Sequence, residues 1–252
     1  VTGNDELAEL STTFNAMLDR LEEGFAGQRQ FLDDVAHELR TPITIVSGHL
    51  ELLGDPALAG DAAERAETVN LMADELQRMS RYVNDLLVLA KAEQGELLRF
   101  NPFDLGEFAE QFRQRVPALG AREWVLDAPR PGSVAIVGDE ERLMQAMLNL
   151  AGNAVQHTAD GDRVELGATA EGADHVRLWV RDTGPGIDAE LAGQLFQRRF
   201  RGAASRAQRT DGMGIGLSIV DAIARAHGGR AAAANAAGGG AMFSITLPSE
   251  PP

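Results

Sequence analysis

The side chain in this chain best suited to accept a phosphoryl group is His37, in the string Phe31-Leu-Asp-Asp-Val-Ala-His-Glu-Leu-Arg-Thr-Pro42. Leu32, Val35 and Leu39 fall on one apolar helical stripe, and His37 lies two residues from Val35 and from Leu39, so its ring points away from that stripe. An imidazole held in water beside the Glu38 carboxylate, with Pro42 five residues on, is a poor core residue and a good nucleophile. Asn149-Leu-Ala-Gly-Asn153 sets two carboxamides four residues apart on one helix face, which Gln156, His157 and Thr158 extend. Carboxamide oxygens are hard, neutral donors suited to Mg2+, which keeps several waters and shares the phosphates of its substrate. The same spacing also fits a plain polar helix face.

Two glycine-bearing strings follow. Asp182-Thr-Gly-Pro-Gly186 comes directly after a segment that alternates with period two. Its glycines permit a sharp turn and close approach to a ligand, and its carboxylate can accept from an exocyclic amine such as that of adenine. Ordinary turn chemistry has the same composition. Gly212-Met-Gly-Ile-Gly216-Leu opens a helix, where freed backbone amides suit a polyphosphate. No strand directly precedes it and no G-x-x-x-x-G-K-[ST] string occurs, which disfavours dinucleotide and P-loop folds. Between the two strings, residues 198–211 carry five arginines among small residues, which fits either a lid over phosphates or a solvated loop.

These groups need two kinds of scaffold. Hydrophobic content of 44% and charged content of 24% are ordinary for a globular chain of 252 residues, long enough for two domains. The net charge of −15 argues against non-specific nucleic-acid binding. With no cysteine, disulfides and thiolate metal sites are excluded. No apolar run is as long as a bilayer span. The chain opens at Val1 in mid-pattern and reads as a piece whose preceding segment would hold a membrane anchor.

Leu7, Leu10, Phe14, Met17 and Leu21 recur at spacings of three and four, as in a coiled-coil seam or an amphipathic core helix. Pro42 should bend the helix just after His37. The apolar pattern resumes at Ile43, Val46, Leu50 and Leu53, turns around 54–60, and continues in a helix from about Asp61 to Glu93. Val69, Met72, Leu76, Met79, Val83, Leu86 and Ala90 form a heptad stripe there. One such hairpin cannot bury both apolar faces, so pairing into a homodimeric four-helix bundle is expected. After a hinge near 93–97, short strands and helices alternate. Strands are expected at 98–100, 124–126, 134–137, 164–168, 176–180 and 242–247, and helices at 105–116, 139–157 and 214–226. The expected architecture is multidomain: an all-α dimeric hairpin followed by an α+β sandwich.

In order, the His37 string, the paired asparagines, Asp-x-Gly-x-Gly and Gly-x-Gly-x-Gly-Leu closely resemble the sensor histidine kinases of two-component signalling. Residues 1–26 resemble the end of a HAMP signal-relay domain, in Asp5-Glu-Leu and Phe14-Asn-Ala-Met17. Residues 27–95 resemble the dimerisation and phosphoacceptor hairpin, and 96–252 the GHKL (Bergerat) ATP-binding domain shared with type II topoisomerases and mismatch-repair ATPases. Phe196-Gln-Arg-Arg-Phe200-Arg-Gly is similar to the family's phenylalanine box, and Ala226-His-Gly-Gly229 to its usual helix exit.

The resemblance implies that His37 is the phosphoacceptor, Glu38 its general base, and Thr41 the residue that orients water for dephosphorylation of a regulator. It implies that Asn153 binds Mg2+ with Asn149 beside it, and that Asp182 reads adenine. Gln156, His157, Gly184, Gly186, Ile187, Arg201, Gly212, Gly214, Gly216 and Leu217 would line the ATP site. The implied partners are a second copy and a response regulator receiver domain, with no nucleic acid. The implied location is the cytoplasmic portion of a bacterial cell-membrane sensor. Two departures stand out: Gln156 where lysine is common, and Gly239-Gly-Ala-Met-Phe243 where Gly-x-Gly-Thr-x-Phe is common, the second expected to be structural. The competing expectations are a GHKL-fold ATPase clamp without histidine phosphorylation, and a catalytically silent dimeric scaffold.

Overall fold

In a computed structural model of the chain, the described residues are 14, 15, 17, 36, 39–54, 61–94, 98–172, 174–188, 194–196 and 215–250. Contacts divide the chain into two compact units, Val1–Arg81 and Tyr82–Pro252.

In the first unit, helix α1 covers 39–54, with Pro42 inside it. Helix α2, Ala62–Gln94, begins in this unit and ends in the second. Its start is fixed by a reciprocal cap. Asp61 Oδ1 accepts from the amides of Ala63 (2.8 Å) and Glu64 (3.0 Å), while Glu64 Oε2 accepts from the Asp61 amide at 3.0 Å. Ile43, Leu50, Val69 and Leu76 remain 51%, 56%, 50% and 53% exposed, so the apolar stripes read in the sequence are largely uncovered here.

In the second unit, the last turns of α2 belong to the core. Val88 and Leu89 are each 2% exposed, and Asp85 Oδ1 accepts from Gln145 Nε2 at 3.1 Å. The division therefore falls inside α2, upstream of the hinge expected at 93–97. Residues 98–100 are not a strand either, because the Arg99 amide bonds Asp139 Oδ2 at 2.8 Å rather than a ladder partner. Strand β1 is Asn101–Asp104 and pairs antiparallel with β3, Ala135–Gly138. Helix α3, Leu105–Arg115, is capped by Asp104, whose Oδ1 accepts from the Glu107 amide at 2.8 Å. That bond, then one from Gly132, holds the Asp104 carboxyl below its usual range. A 3-10 turn, Val116–Leu119, leads to β2, Glu123–Asp127.

Helix α4, Glu140–Gln156, is followed by β4, Arg163–Glu171, and β5, His175–Asp182. Helix α5, Gly216–Ala226, leads to β6, Arg230–Asn235, and β7, Ala241–Pro248. The main sheet has the order β2-β4-β5-β7-β6, with β2 and β4 parallel and every other pair antiparallel. Leu166, Leu178 and Ile245 on one sheet face meet Phe108 and Phe112 of α3, Leu143, Met147 and Leu150 of α4, and Ile219 and Ile223 of α5 in a single core. On the other face, Trp179 lies flat over Gly167, its direct cross-strand partner, where a Cβ would stand 1.8 Å from the ring. This is the α+β sandwich expected for the C-terminal part.

Candidate functional site

Helix α4 organises the site. Its start is set by Asp139, whose Oδ1 accepts from the Arg142 amide at 3.1 Å. Leu143, Met144, Met147, Leu150, Ala151 and Ala154 turn into the core, which leaves Asn149, Asn153 and Gln156 along a second face. Asn149 and Asn153 are half-buried, while Gln156 and His157 are exposed. Arg122 closes the far end. Its Nη2 donates to the carbonyls of Val155 (3.0 Å) and Thr158 (2.8 Å), its Nε to Thr158 Oγ1 (2.8 Å), and it pairs with Asp160. A cation on the last carbonyls of a helix satisfies acceptors that have no partner within it.

Two other elements meet this face. Gly216 opens α5 beside Asn149, whose Cγ would lie 3.9 Å from a Cβ placed on that glycine. Ile215 is the α5 N-cap and supplies no side-chain bond, so among the described residues no side chain caps the first amides. The loop after β5 meets the other end of α4, where a Cβ on Gly184 would stand 2.4 Å from the His157 carbonyl oxygen. Asn149 and His157 are eight residues apart, or about 12 Å along the helix axis. An elongated ligand can therefore span from the loop after β5 to the start of α5.

Asp182 lies at the loop end of that span, 3% exposed. Its Oδ1 accepts from the Gly184 amide at 2.9 Å and the Ala241 amide at 3.1 Å. Both bonds fall on one oxygen, which leaves Oδ2 for a donor on a ligand. Gly240, at φ 80°, passes so close that a Cβ would stand 1.9 Å from the Asp182 carbonyl oxygen. Gly186, at φ 81°, faces Asn235, whose Oδ1 accepts from the Ile187 amide at 2.6 Å and whose Nδ2 donates to the Ile187 carbonyl at 2.8 Å. The sequence reading missed Asn235 and gave Gly240 and Ala241 no part in the site. The available signal was a lone asparagine inside an alanine run that leads into a triple glycine.

At the other end, Asn149 Nδ2 is buried without a hydrogen-bond partner among the described residues. A buried amide left so is costly, and a ligand that fills the gap between α4 and α5 relieves it. Among the described residues no group of three or more His, Asp or Glu is placed to hold a metal ion. The Asn149 and Asn153 carboxamides therefore fit Mg2+ delivered with phosphates better than a cation held by protein alone.

The structure thus brings Asn149 to Gly216 at one end of α4, and His157 to Gly184, in the loop that carries Asp182, Gly186 and Ile187, at the other; Asn153 and Gln156 lie along α4 between them, and Leu217 is the second residue of α5, packed against the core. Thr41 is exposed on α1. His37, Glu38, Arg201, Gly212 and Gly214 lie outside the described residues, as does most of the HAMP-like segment. From the phenylalanine box only Phe196 is described, edge-on to Phe243 with ring centroids 6.4 Å apart.

Residues 27–95 match the His Kinase A (phospho-acceptor) domain, and residues 138–251 match the histidine kinase-, DNA gyrase B- and HSP90-like ATPase family. The chain is 35% identical to the probable sensor histidine kinase TcrY of Mycobacterium tuberculosis over 96% of its length and 52% of the relative's. It is 34% identical to the signal transduction histidine-protein kinase BaeS of Escherichia coli, over 99% of this chain and 53% of that one. It thus spans about half the length of the curated relatives it matches. A solved structure titled full-length ShkA in complex with AMPPNP is 31% identical with a TM-score of 0.59, over 86% of this chain and 45% of that one. With an ATPase-type sandwich behind a phosphoacceptor-type hairpin, and these relatives matched along nearly its whole length, the chain belongs to the sensor histidine kinases of two-component systems.

Proposed function

We propose that the chain is an ATP-dependent protein-histidine kinase that phosphorylates His37 and passes the phosphoryl group to an aspartate of a response regulator. The observation that carries the ATP site is the polar order along α4: an anchored carboxylate with one oxygen to spare at Asp182, and an unsatisfied carboxamide at Asn149 against the start of α5. The first suits an adenine amine and the second suits phosphates. Asp182 Oδ2 accepts from the base, the loop through Ile187 lines it, and Asn149, Asn153 and the first amides of α5 receive the phosphate end. Mg2+ held by Asn153 with Asn149 beside it would neutralise phosphate charge.

In the reaction an imidazole nitrogen of His37 forms a bond to the γ-phosphorus in line with the breaking bond to the β,γ-bridging oxygen, and ADP leaves. Glu38 takes the imidazole proton, and the ring remains a phosphoramidate from which the regulator's aspartate draws the group. Positioning and charge neutralisation do most of the work. The half-exposed Ile43, Leu50, Val69 and Leu76 suit a second copy of the hairpin, so the working form is a homodimer. Thr41, exposed on α1, would orient water on a docked regulator, which extends the reading to a phosphatase activity.

Incubation of the chain with γ-labelled ATP tests the reading. Acid-labile label should appear in the wild type and be absent from His37→Gln, with nucleotide binding unchanged. Steady ATP hydrolysis without phosphohistidine would instead favour the ATPase clamp, and neither activity would favour the silent scaffold.

A further inference from the structure

Asn235 ends β6, a strand otherwise composed of Arg230 and four alanines, and it is exposed. Asparagine is disfavoured in strands, and beside a glycine turn it would ordinarily bond its own backbone two residues on. Here the turn closes without it, through the Ala236 amide on the Gly240 carbonyl (2.9 Å) and the Gly239 amide on the Ala236 carbonyl (3.1 Å). The carboxamide instead reaches a residue 48 positions earlier and takes both main-chain groups of Ile187, at 2.6 and 2.8 Å. Ile187 lies in no strand, so one side chain does for it what a neighbouring strand would do. The space is fully used, since a Cβ on Gly186 would stand 2.7 Å from Asn235 Oδ1.

The same hairpin end holds the loop a second time. Asn235 pairs with Ala241 across the ladder, and the Ala241 amide donates to Asp182 Oδ1 at 3.1 Å. The loop from Asp182 to Ile187 is therefore pinned at its first residue by Ala241 and at its sixth by Asn235. Up to Gly184 the loop is also held by Thr183 Oγ1 on the Arg163 carbonyl (3.3 Å) and by the Gly184 amide on Asp182 Oδ1 (2.9 Å), so Asn235 is the side chain that ties its far end at Ile187.

We propose that Asn235 is a positioning residue for the nucleotide site: through Ile187 it holds the Asp182–Ile187 loop in the shape that receives the base of a purine nucleoside triphosphate. This rests on the ATP reading above for the ligand, though not for the pinning. Asn235 touches no reacting atom, so its loss should weaken ATP binding and leave the transfer step alone.

The test uses the whole chain, with Asn235→Ala and Asn235→Asp. In nucleotide-free protein, hydrogen exchange at the Ile187 amide should speed up about tenfold or more in Asn235→Ala, while β4, β5 and β7 amides keep their protection. Asn235→Asp retains the acceptor and should fall between. For Mg-ATP, Asn235→Ala should raise KM about tenfold, with the autophosphorylation rate at saturating ATP unchanged. Unchanged Ile187 exchange, unchanged KM, or loss of protection spread evenly over the strands would each overturn the proposal, the last by making Asn235 merely structural. If the wild type binds no ATP, the functional reading fails, and with it the ligand assigned here, while the exchange measurement still decides whether Asn235 pins the loop.

Discussion

Acid should weaken the second unit through one buried ring. His227 is 2% exposed, between the C-terminal end of α5 and the start of α4. Its Nδ1 bonds the Ile223 carbonyl at 2.8 Å, so that nitrogen carries the proton, and its Nε2 accepts from the Asp139 amide at 3.0 Å. Phe100 stands edge-on to it at 5.5 Å, and a Cβ on Gly138 would come within 3.3 Å of the ring. Burial pulls the ring's pKa below its ordinary 6.5, against opposing contributions from the Ile223 bond and the Asp139 charge. A second proton would turn Nε2 from acceptor to donor and leave the Asp139 amide facing another N–H.

The sign follows from linkage. Below about pH 6.5 the ring of the unfolded chain binds a proton while the folded ring stays neutral, so the unfolded state holds more protons. Stability is therefore full above about pH 6.5, falls as pH drops through the window, and stops falling once the folded ring also titrates. The slope contributed by one proton is at most about 1.4 kcal/mol per pH unit. The comparison is with His227→Gln, whose Oε1 can still accept from the Asp139 amide but cannot titrate. Losing the Ile223 bond should cost that variant about 1–3 kcal/mol at neutral pH. Urea unfolding followed by tryptophan fluorescence reads this unit alone, because the chain's two tryptophans, Trp124 and Trp179, lie on β2 and β5. As pH falls below about 6.5 the wild type should lose stability more steeply than His227→Gln, by up to ~1.4 kcal/mol per unit, until the folded ring titrates. Every other titrating group is common to both proteins and cancels. Parallel slopes would refute the reasoning.

Two further perturbations address the nucleotide end. Asp182→Asn can keep one oxygen on the Gly184 and Ala241 amides, but it then presents an amide donor where the adenine amine needs an acceptor. Equilibrium titration should show ATP affinity falling by about 1.5–3 kcal/mol, ten- to a hundredfold, with the unfolding curve little changed, and affinity equal to wild type would remove Asp182 from base recognition. Gly240→Ala puts a Cβ 1.9 Å from the Asp182 carbonyl oxygen at a left-handed φ of 80°. Strain of about 1–2 kcal/mol and overpacking of about 1–3 kcal/mol should together lower the urea midpoint markedly, and an unchanged midpoint would mean that the hairpin yields without cost.

The strongly periodic parts of the fold were legible in the sequence. The helices at 61–93, 105–116 and 139–157 each begin at an aspartate that caps the first turn, and the last two bury the face their period marks, while the stripe of the first stays largely exposed. The hairpin of β4 and β5 showed in its alternation. Strand β6 did not, because Arg-Ala-Ala-Ala-Ala-Asn has no β-branched or aromatic residue and alanine favours helix. Only its ladder to β7, from Arg230 opposite Thr246 to Asn235 opposite Ala241, makes it a strand. Strand β1 hid for a similar reason, since Pro102 lacks a donor and is tolerated only because β1 belongs to a two-stranded sheet.

The site was legible as a set of residue types but not as a set of contacts, and the glycines show the difference. From the sequence, Gly184 and Gly186 are openings for a ligand. In the structure each is required by the protein itself: Gly184 by the His157 carbonyl at the end of α4, and Gly186 by the Asn235 carboxamide. Gly240, read as merely structural, is required by the backbone of Asp182, the residue assigned to the base. These close approaches join segments far apart in sequence, so no local pattern could reveal them. They lock the end of α4, the loop after β5 and the turn between β6 and β7 into one junction. Enlarging any of these glycines should therefore cost affinity by displacing Asp182 and Ile187, before any added methyl meets the nucleotide.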